Sequence, residues 1–258
     1  SWKIKRNLSK IIQSLYPKYY STETAKYYGK LINKKIKNLQ YDLILNIDFI
    51  EGISEITSDR PILTFKDASY IQLNEIEYPG FKNFNSDELE SLKEAEFAGA
   101  SRSDAILLTS DWAINNFLRI YPQLDKKKFI KLPFSGQVYP PPEISDFKPR
   151  KFSSKEVINF LFVGRAWERK GGDKAVEILN ILHNEGHQVK LDIVGSRPFD
   201  GENPYSFDVT LHGDLDKNVP EQNNLLNKLY RDSHFFVFPT FNDCSPIVTI
   251  ESMSYGLP

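Results

Sequence analysis

The sequence has 258 residues, of which 40% are hydrophobic and 13% aromatic, enough apolar side chains for two folded cores. The formal net charge is −1, and the basic residues do not form the arginine-rich clusters of a nucleic-acid-binding surface, so we expect no nucleic-acid partner. A single cysteine, Cys244, excludes an internal disulfide framework and suits a reducing compartment.

No apolar run is long enough to span a bilayer and no secretory signal opens the sequence, so we expect a cytoplasmic protein without a transmembrane segment. The lysines of the first 40 residues form a locally basic region that offers a peripheral contact with a membrane surface. The sequence starts at Ser1 in the middle of a helical pattern, which we interpret as the sign of a fragment.

The first half of the chain alternates between helical and strand-like segments. Residues 1–40 have apolar residues at helical spacing, and a helix with acids in its first turn is predicted over 87–104. A further helix starts at the segment DWAINNFLRIYP, capped by Ser110 or Asp111. Strands are predicted over 41–47, 61–67, 105–110 and 128–134. This alternation is typical of a parallel doubly wound sheet.

The alternation restarts after a stretch rich in proline, 136–156, which is the best linker candidate in the chain. Strands are predicted over 157–164, 189–195, 209–213 and 235–240, with helices over 172–184, 221–233 and beyond residue 245. We therefore predict an α/β protein with two Rossmann-like doubly wound domains facing a cleft, where open sheets bind their ligands.

Two cations follow the strand that ends at Gly164. Arg165 and Lys170 stand at its carboxyl end, just before a helix, and form a suitable clamp for a diphosphate. The alternative is that both are solvated loop charges.

A second candidate site lies in the segment FFVFPTFNDCSPIVTIE, residues 235–251. Ser245 is predicted to cap a helix whose first residue is Pro246, which leaves the amides of Ile247 and Val248 ready for an anion. Glu251 lies inside this apolar helix and needs a partner, and sugar hydroxyls provide one without a charge penalty. The alternative is that Asp243 is a capping acid and Glu251 an exposed helix acid.

At this point the chain resembles a known family. The segments FVGRAWERKG and LYRDSHFFVFPTFNDCSPIVTIESMSYGLP are similar to the two signatures of the retaining glycosyltransferase family 4, which has the GT-B fold. Two acids separated by seven residues, Asp243 and Glu251, and the ending YGLP match its hallmark, although the first acid is usually Glu. Segments between residues 61 and 136 look like the later part of the family's N-terminal domain.

The resemblance implies metal-independent transfer of a sugar, of the hexosyltransferase type and with retention, from a nucleotide-diphosphate sugar to a glycan acceptor, with no other cofactor. Asp243 would face the transferred sugar, Arg165 and Lys170 would bind the diphosphate as charge builds on it, and Glu251 would hold the ribose. The donor-binding residues that it implies are Gly164, Arg165, Lys170, Gly195, Ser196, His212, Gly213, Asp243, Ser245, Pro246, Ile247, Val248 and Glu251.

The resemblance also defines the predicted domains and their departures from the family. Residues 1–140 would be the remainder of the acceptor-side domain, 141–156 the linker, and 157–258 an incomplete nucleotide-sugar-binding domain, so the fold is expected to be truncated at both ends. Where the family often has a histidine on its N-terminal sheet, this sequence has Lys66 and Asp67, the weaker acceptor-side candidates.

Several other patterns have a simpler explanation than a site. We expect no metal site at Asp214 and Asp216 or at His183 and His187, and we expect Cys244 to be a packed thiol. Two other functions stay open: a GT-B sugar-nucleotide epimerase, and a non-catalytic sugar-nucleotide-binding or scaffolding protein.

Overall fold

The computed structural model describes residues 22–143 and 156–258, which fall into two compact units divided between Pro133 and Phe134. Most of the predicted linker, residues 144–155, lies outside the described residues, as does the predicted helical segment up to residue 21. Of the helices in the described part of the chain, none combines the length and apolar character that a membrane span requires.

The first unit is an α/β structure with one parallel sheet. Its elements in chain order are α1 (Thr22–Ile36), β1 (Ile44–Ile47), a 3-10 helix (Ile50–Ile53), β2 (Ile62–Lys66), α2 (Tyr70–Glu75), α3 (Ser86–Arg102), β3 (Ala105–Leu108), α4 (Asp111–Ile120), a 3-10 helix (Lys126–Lys128) and β4 (Phe129–Lys131). The four predicted strands and the two predicted helices after residue 86 are confirmed. The short helix α2 and the 3-10 helices were not predicted, because one or two turns carry too little periodicity.

The sheet of the first unit has the order β1-β2-β3-β4, with all neighbours parallel. Consecutive strands lie side by side, so right-handed crossovers place the connecting helices on one face. Ile62, Thr64 and Lys66 point to that buried face, whereas Leu45 and Ile47 on the opposite face are exposed.

Local sequence explains where the two long helices after β2 begin. Asn85 and Glu88 form a reciprocal capping box at the start of α3, with both hydrogen bonds at 2.9 Å. Ser110 caps α4 by accepting a hydrogen bond from the Ala113 amide, which selects Ser110 over Asp111 as the cap.

The second unit is also an α/β structure with one parallel sheet. Its elements are β5 (Ile158–Val163), α5 (Gly172–Asn184), β6 (Val189–Val194), β7 (Asp208–Gly213), α6 (Pro220–Asp232), β8 (Phe235–Phe236) and α7 (Ile247–Ser254). Each was predicted from the sequence, although β8 has two residues where six were expected. Beyond Phe236 the chain still follows β5, since the Val237 amide donates to the Leu161 carbonyl.

The sheet of the second unit has the order β7-β6-β5-β8, so the direction of strand addition reverses between β5 and β8. One face packs on α5 through residues such as Leu179 and Ile193, and the other face packs on α6 and α7 through Leu226 and Tyr255. This arrangement is doubly wound, as predicted. In such sheets ligands bind outside the carboxyl ends of the strands at the reversal, which here means the loops after β5 and β8.

Candidate functional site

The loops after β5 and β8 are joined by hydrogen bonds from one residue, Arg169. Its carbonyl accepts from the Phe241 amide at 3.1 Å and from the Thr240 hydroxyl at 3.3 Å. Its guanidinium donates to the Asn242 carbonyl at 2.6 Å. The two loops at the strand reversal therefore form one connected structure, which holds the segment leading to Asp243 in place.

Gly171 allows the two loops to approach each other. It has a φ of +76°, and a Cβ atom there would lie 1.9 Å from the Pro239 carbonyl oxygen. No other residue type fits this combination of left-handed backbone and close contact. The sequence motif thus needs a glycine between Lys170 and helix α5 for a steric reason.

Lys170 and Asp243, predicted to have separate roles, form an ion pair with each other. The Lys170 ammonium donates to the Asp243 carboxylate, and the two side chains are only 15% and 13% exposed. The ammonium also lies 5.4 Å from the centre of the Phe238 ring. A largely desolvated ion pair at the end of a parallel sheet is a polar site that can exchange partners with a charged ligand.

Arg165 is in a different environment from Lys170. Its guanidinium pairs with Asp214 at 3.0 Å, but its side chain is 80% exposed. Exposed ion pairs are weak, so Arg165 can change partner at little cost. Of the two cations in the predicted clamp, Lys170 is therefore held by a largely buried ion pair, whereas Arg165 is solvated.

Glu251 is buried in helix α7 and accepts three hydrogen bonds. It is 1% exposed, and its donors are the Gln137 amide at 3.2 Å, the Lys217 ammonium, and the Tyr230 hydroxyl at 3.0 Å. The expectation that this acid needs a partner is met within the protein, and its binding of sugar hydroxyls stays a prediction. Burial and the nearby Glu251 carboxylate raise the pKa of Tyr230, so this hydroxyl is a constant donor.

Helix α7 begins one residue later than predicted. Pro246, and not Ser245, is the N-cap, because the Pro246 carbonyl accepts from both the amide and the hydroxyl of Thr249, at 3.2 and 2.7 Å. The first-turn amides of Ile247 and Val248 have no intrahelical acceptor, which keeps this helix end suitable for an anion.

The ends of two further strands, β6 and β7, lie next to Gly164 in the sheet. The Ser196 hydroxyl donates to the Gly164 carbonyl, and a Cβ atom on Gly195 would lie 3.1 Å from that same group. The Gly195 amide in turn donates to the Gly213 carbonyl at 2.8 Å. His212 is partly buried, and its ring lies 2.8 Å from the Asp192 carboxylate. The residues predicted to frame the base therefore lie along one edge of the sheet.

The acceptor-side candidates lie at the carboxyl end of β2 in the first unit. Lys66 is fully buried, with its ammonium 3.4 Å from Asp48, 3.9 Å from Glu96 and 3.3 Å from the centre of the Tyr70 ring. Lys66 therefore cannot contact a ligand directly, and at most it holds Asp48 in position. Asp67 follows it, with its carbonyl 3.5 Å from the Thr109 hydroxyl.

Glu96 is the centre of a buried hydrogen-bond network in the first unit that the sequence did not reveal. It accepts from the Ser69 hydroxyl at 2.7 Å, the Tyr70 amide at 2.8 Å and the Tyr121 hydroxyl at 2.9 Å. Burial raises the pKa of Glu96 against the opposing effect of Lys66, and it also raises the pKa of the Tyr121 hydroxyl.

Glu51 belongs to the same cluster of buried acids. Its carboxylate accepts from the Tyr70 hydroxyl at 2.8 Å. Burial raises the pKa of Glu51, again opposed by Lys66. No local motif marks these residues, because their partners come from distant parts of the chain.

Within residues 22–143 and 156–258, no group of three or more His, Cys, Asp and Glu side chains has the arrangement of a metal site. Asp214 pairs with Arg165, while the backbone amide of Asn218 lowers the pKa of Asp216 by binding its carboxylate. Cys244 is partly buried.

The comparisons with known proteins agree with the resemblance described from the sequence. Residues 158–258 match the family model of the glycosyl transferases group 1, and this range lies within the second unit. A search of curated proteins found no match to this sequence.

Solved structures of glycosyltransferases resemble the described fold. The structure of WaaG, a glycosyltransferase involved in lipopolysaccharide biosynthesis, is 20% identical with a TM-score of 0.57, covering 88% of this chain and 61% of that protein. HepE from Anabaena, in complex with UDP-glucose, is 14% identical with a TM-score of 0.56, covering 89% of this chain and 61% of that protein.

A trehalose 6-phosphate synthase from Burkholderia multivorans is 13% identical with a TM-score of 0.57, covering 90% of this chain and 58% of that protein. The chain thus spans about three fifths of the length of these proteins. At such identities the likeness establishes the fold, and the α/β GT-B prediction is confirmed.

Proposed function

We propose that the protein, whose residues 158–258 match the model of the glycosyl transferases group 1, transfers a sugar from a nucleotide-diphosphate sugar to a saccharide or glycan acceptor. The observation that carries the proposal is the Lys170–Asp243 ion pair beside the helix α7 N-terminus, at the strand reversal of a doubly wound sheet. That place combines a cation, free amides and a carboxylate, which are the groups that a sugar diphosphate needs.

In this proposal the ion pair opens when the donor binds. Lys170 turns to the diphosphate and Asp243 to the hydroxyls of the transferred sugar, so that each group exchanges one polar partner for another. The amides of Ser245, Ile247 and Val248 bind the sugar and phosphate oxygens, and Pro246 caps the helix whose dipole faces them. Arg165 adds a mobile charge that pairs best with the diphosphate as it leaves.

Glu251 accepts from the ribose hydroxyls, and the edge formed by Gly164, Gly195, Ser196, His212 and Gly213 frames the base. On the acceptor side, Asp67 is the proposed contact and Lys66 a positioning residue. The site needs no metal in this scheme, because the protein supplies the cations for the leaving group.

The proposed reaction proceeds with retention. The bond between the anomeric carbon and the diphosphate oxygen breaks, and the acceptor oxygen forms a new bond on the same face of the sugar. The acceptor's proton goes to the departing diphosphate oxygen, whose negative charge Lys170 and Arg165 stabilise. The anomeric configuration of the product, measured by NMR coupling constants, tests this part directly.

The first experiment measures the thermal unfolding of the full chain with UDP-, GDP-, ADP- and dTDP-sugars. We expect one nucleotide class to raise Tm, and Glu251→Ala to weaken its binding by about 1–3 kcal/mol through the lost hydrogen bonds. Glu221→Ala, which removes an exposed acid from α6, is the matched control.

The outcomes separate the three functions. A shift that vanishes in Glu251→Ala together with sugar transfer to a glycan supports the transferase. Conversion of the donor to its epimer supports the epimerase, and binding without either reaction supports the scaffolding protein. If no nucleotide sugar changes Tm in a well-folded protein, the proposed site is wrong.

A further inference from the structure

Lys217 contacts the buried carboxylate that we assign to the ribose, and no sequence motif singles it out. It lies in the loop between β7 and α6, and its ammonium donates to Glu251 and, at 3.3 Å, to the Gln137 carbonyl. The side chain is 32% exposed, so Lys217 is partly accessible to solvent although its ammonium contacts a buried carboxylate.

The hydrogen-bonding capacity of Glu251 is nearly used up by the three donors. A carboxylate has about four acceptor positions, and Gln137, Lys217 and Tyr230 take three of them. A ribose offers two neighbouring hydroxyl groups, and one remaining position accepts only one of them. One of the present donors must therefore leave for the ribose to bind with both hydroxyls.

Two of the three donors are fixed in the structure. The Gln137 donor is a backbone amide, and the chain beside it lies so close to α7 that a Cβ atom on Gly136 would be 3.4 Å from the Glu251 nitrogen. Tyr230 is buried between α6 and the sheet, where its ring stacks on Tyr255. Lys217 alone can turn into water without opening the core.

We propose that Lys217 occupies the ribose position of Glu251 when no nucleotide is bound, and that it must give up this position when the nucleotide binds. The inference rests on the proposed function, and it makes Lys217 a residue that sets nucleotide affinity by competing for the carboxylate. The exchange replaces a charged hydrogen bond with hydroxyl donors and returns the ammonium to solvent.

The test compares the binding of UDP, GDP and ADP to four proteins by calorimetry: the wild-type chain, Lys217→Met, Lys217→Arg and Lys228→Met. Lys217→Met keeps the length of the side chain without the charge, so we expect the Kd of the nucleotide that binds to fall about tenfold. Lys217→Arg retains a competing cation and stays within about threefold of wild type. Lys228 forms an exposed ion pair with Asp232 on α6, so Lys228→Met is the matched control and leaves the Kd unchanged.

Two further measurements distinguish competition from a general effect of charge. In a Glu251→Gln background, Lys217→Met no longer lowers the Kd, because the contested carboxylate is gone. The 2′-deoxy form of the nucleotide gains less from Lys217→Met than the ribonucleotide does, because it lacks one of the competing hydroxyls.

A Kd that is unchanged or higher in Lys217→Met, while wild type binds a nucleotide, overturns this inference and leaves the proposed function intact. An equal gain in the Glu251→Gln background also overturns it. If the wild-type protein binds none of the three nucleotides, the proposed function fails and the inference fails with it.

Discussion

At the scale of single residues, each acid of the Asp243 and Glu251 pair is already neutralised by a lysine. Asp243 pairs with Lys170, and Glu251 pairs with Lys217. An isolated buried carboxylate would be costly, and the donor-free protein supplies each of these acids with a cation as its partner. A ligand that binds here exchanges partners with these pairs, and its affinity is the difference between two sets of polar contacts.

The different exposure of the two clamp cations leads to different expected effects of their removal. Lys170→Ala removes a charge that is held inside the site and leaves Asp243 unpaired beside the phosphate, so nucleoside diphosphate binding weakens by about 1.5–3 kcal/mol. Arg165→Ala removes an exposed group, so affinity changes by less than about 1 kcal/mol while the rate of transfer falls.

Calorimetry for the Kd and single-turnover assays for the rate measure the two effects separately. Lys174→Ala, which removes an exposed lysine paired with Glu177 on α5, is the control. An Arg165→Ala variant that loses affinity without losing rate contradicts the role of Arg165 in departure of the leaving group.

At the scale of elements, the site depends on how the loops after β5 and β8 are joined. Arg169 bonds three consecutive residues of the β8 loop, and Gly171 lets the two backbones touch. The loops carry the charged groups, but their shape follows from these backbone contacts. The element boundaries at the site are therefore set by contacts between loops as much as by helix or strand propensity.

Gly171→Ala tests this contact between the loops after β5 and β8. The added Cβ meets the Pro239 carbonyl at 1.9 Å and the backbone is left-handed, so we expect the free energy of unfolding to fall by at least about 2 kcal/mol, measured by urea unfolding. Gly186→Ala is the control, since Gly186 has a φ of +92° with nothing within 4 Å of an added Cβ, and should cost about 1 kcal/mol. Equal costs for the two variants would contradict a steric requirement at Gly171.

At the scale of the whole molecule, the two units bury their charges in different ways. The second unit has ion pairs at the end of its sheet, whereas the first unit encloses Glu51 and Glu96 around Lys66. One lysine faces two buried acids, so desolvation outweighs attraction and the pKa of both acids is raised.

The raised pKa of Glu51 makes stability depend on pH in a defined direction. The native state holds a proton on Glu51 where the unfolded state does not, so its contribution is present below the unfolded pKa of about 4.3 and is lost as pH rises through the folded pKa. We expect wild type to lose stability relative to Glu51→Gln as pH rises above the unfolded pKa of this carboxyl group, measured by urea unfolding. Glu55→Gln, an exposed acid four positions on, should follow wild type, and parallel pH profiles for wild type and Glu51→Gln would contradict the prediction.

Local sequence patterns determined the order of the elements, because the period of apolar residues and the capping residues act over a few positions. They also determined the place of the candidate site, since the end of a strand and the start of a helix are local features. Only the tertiary structure decided which charges meet. Lys170 and Asp243 are 73 positions apart, and Lys217 and Glu251 are 34 apart.

Lys66 also shows that the sequence alone does not reveal which charges meet. The sequence placed it correctly at the end of a strand and suggested a ligand contact, but the structure buries it against Glu96, 30 positions later in the chain. These pairings depend on the order of strands in each sheet and on the helices that cover them. A local pattern carries no information about that order, so the residues of the site could be predicted one by one and their partners could not.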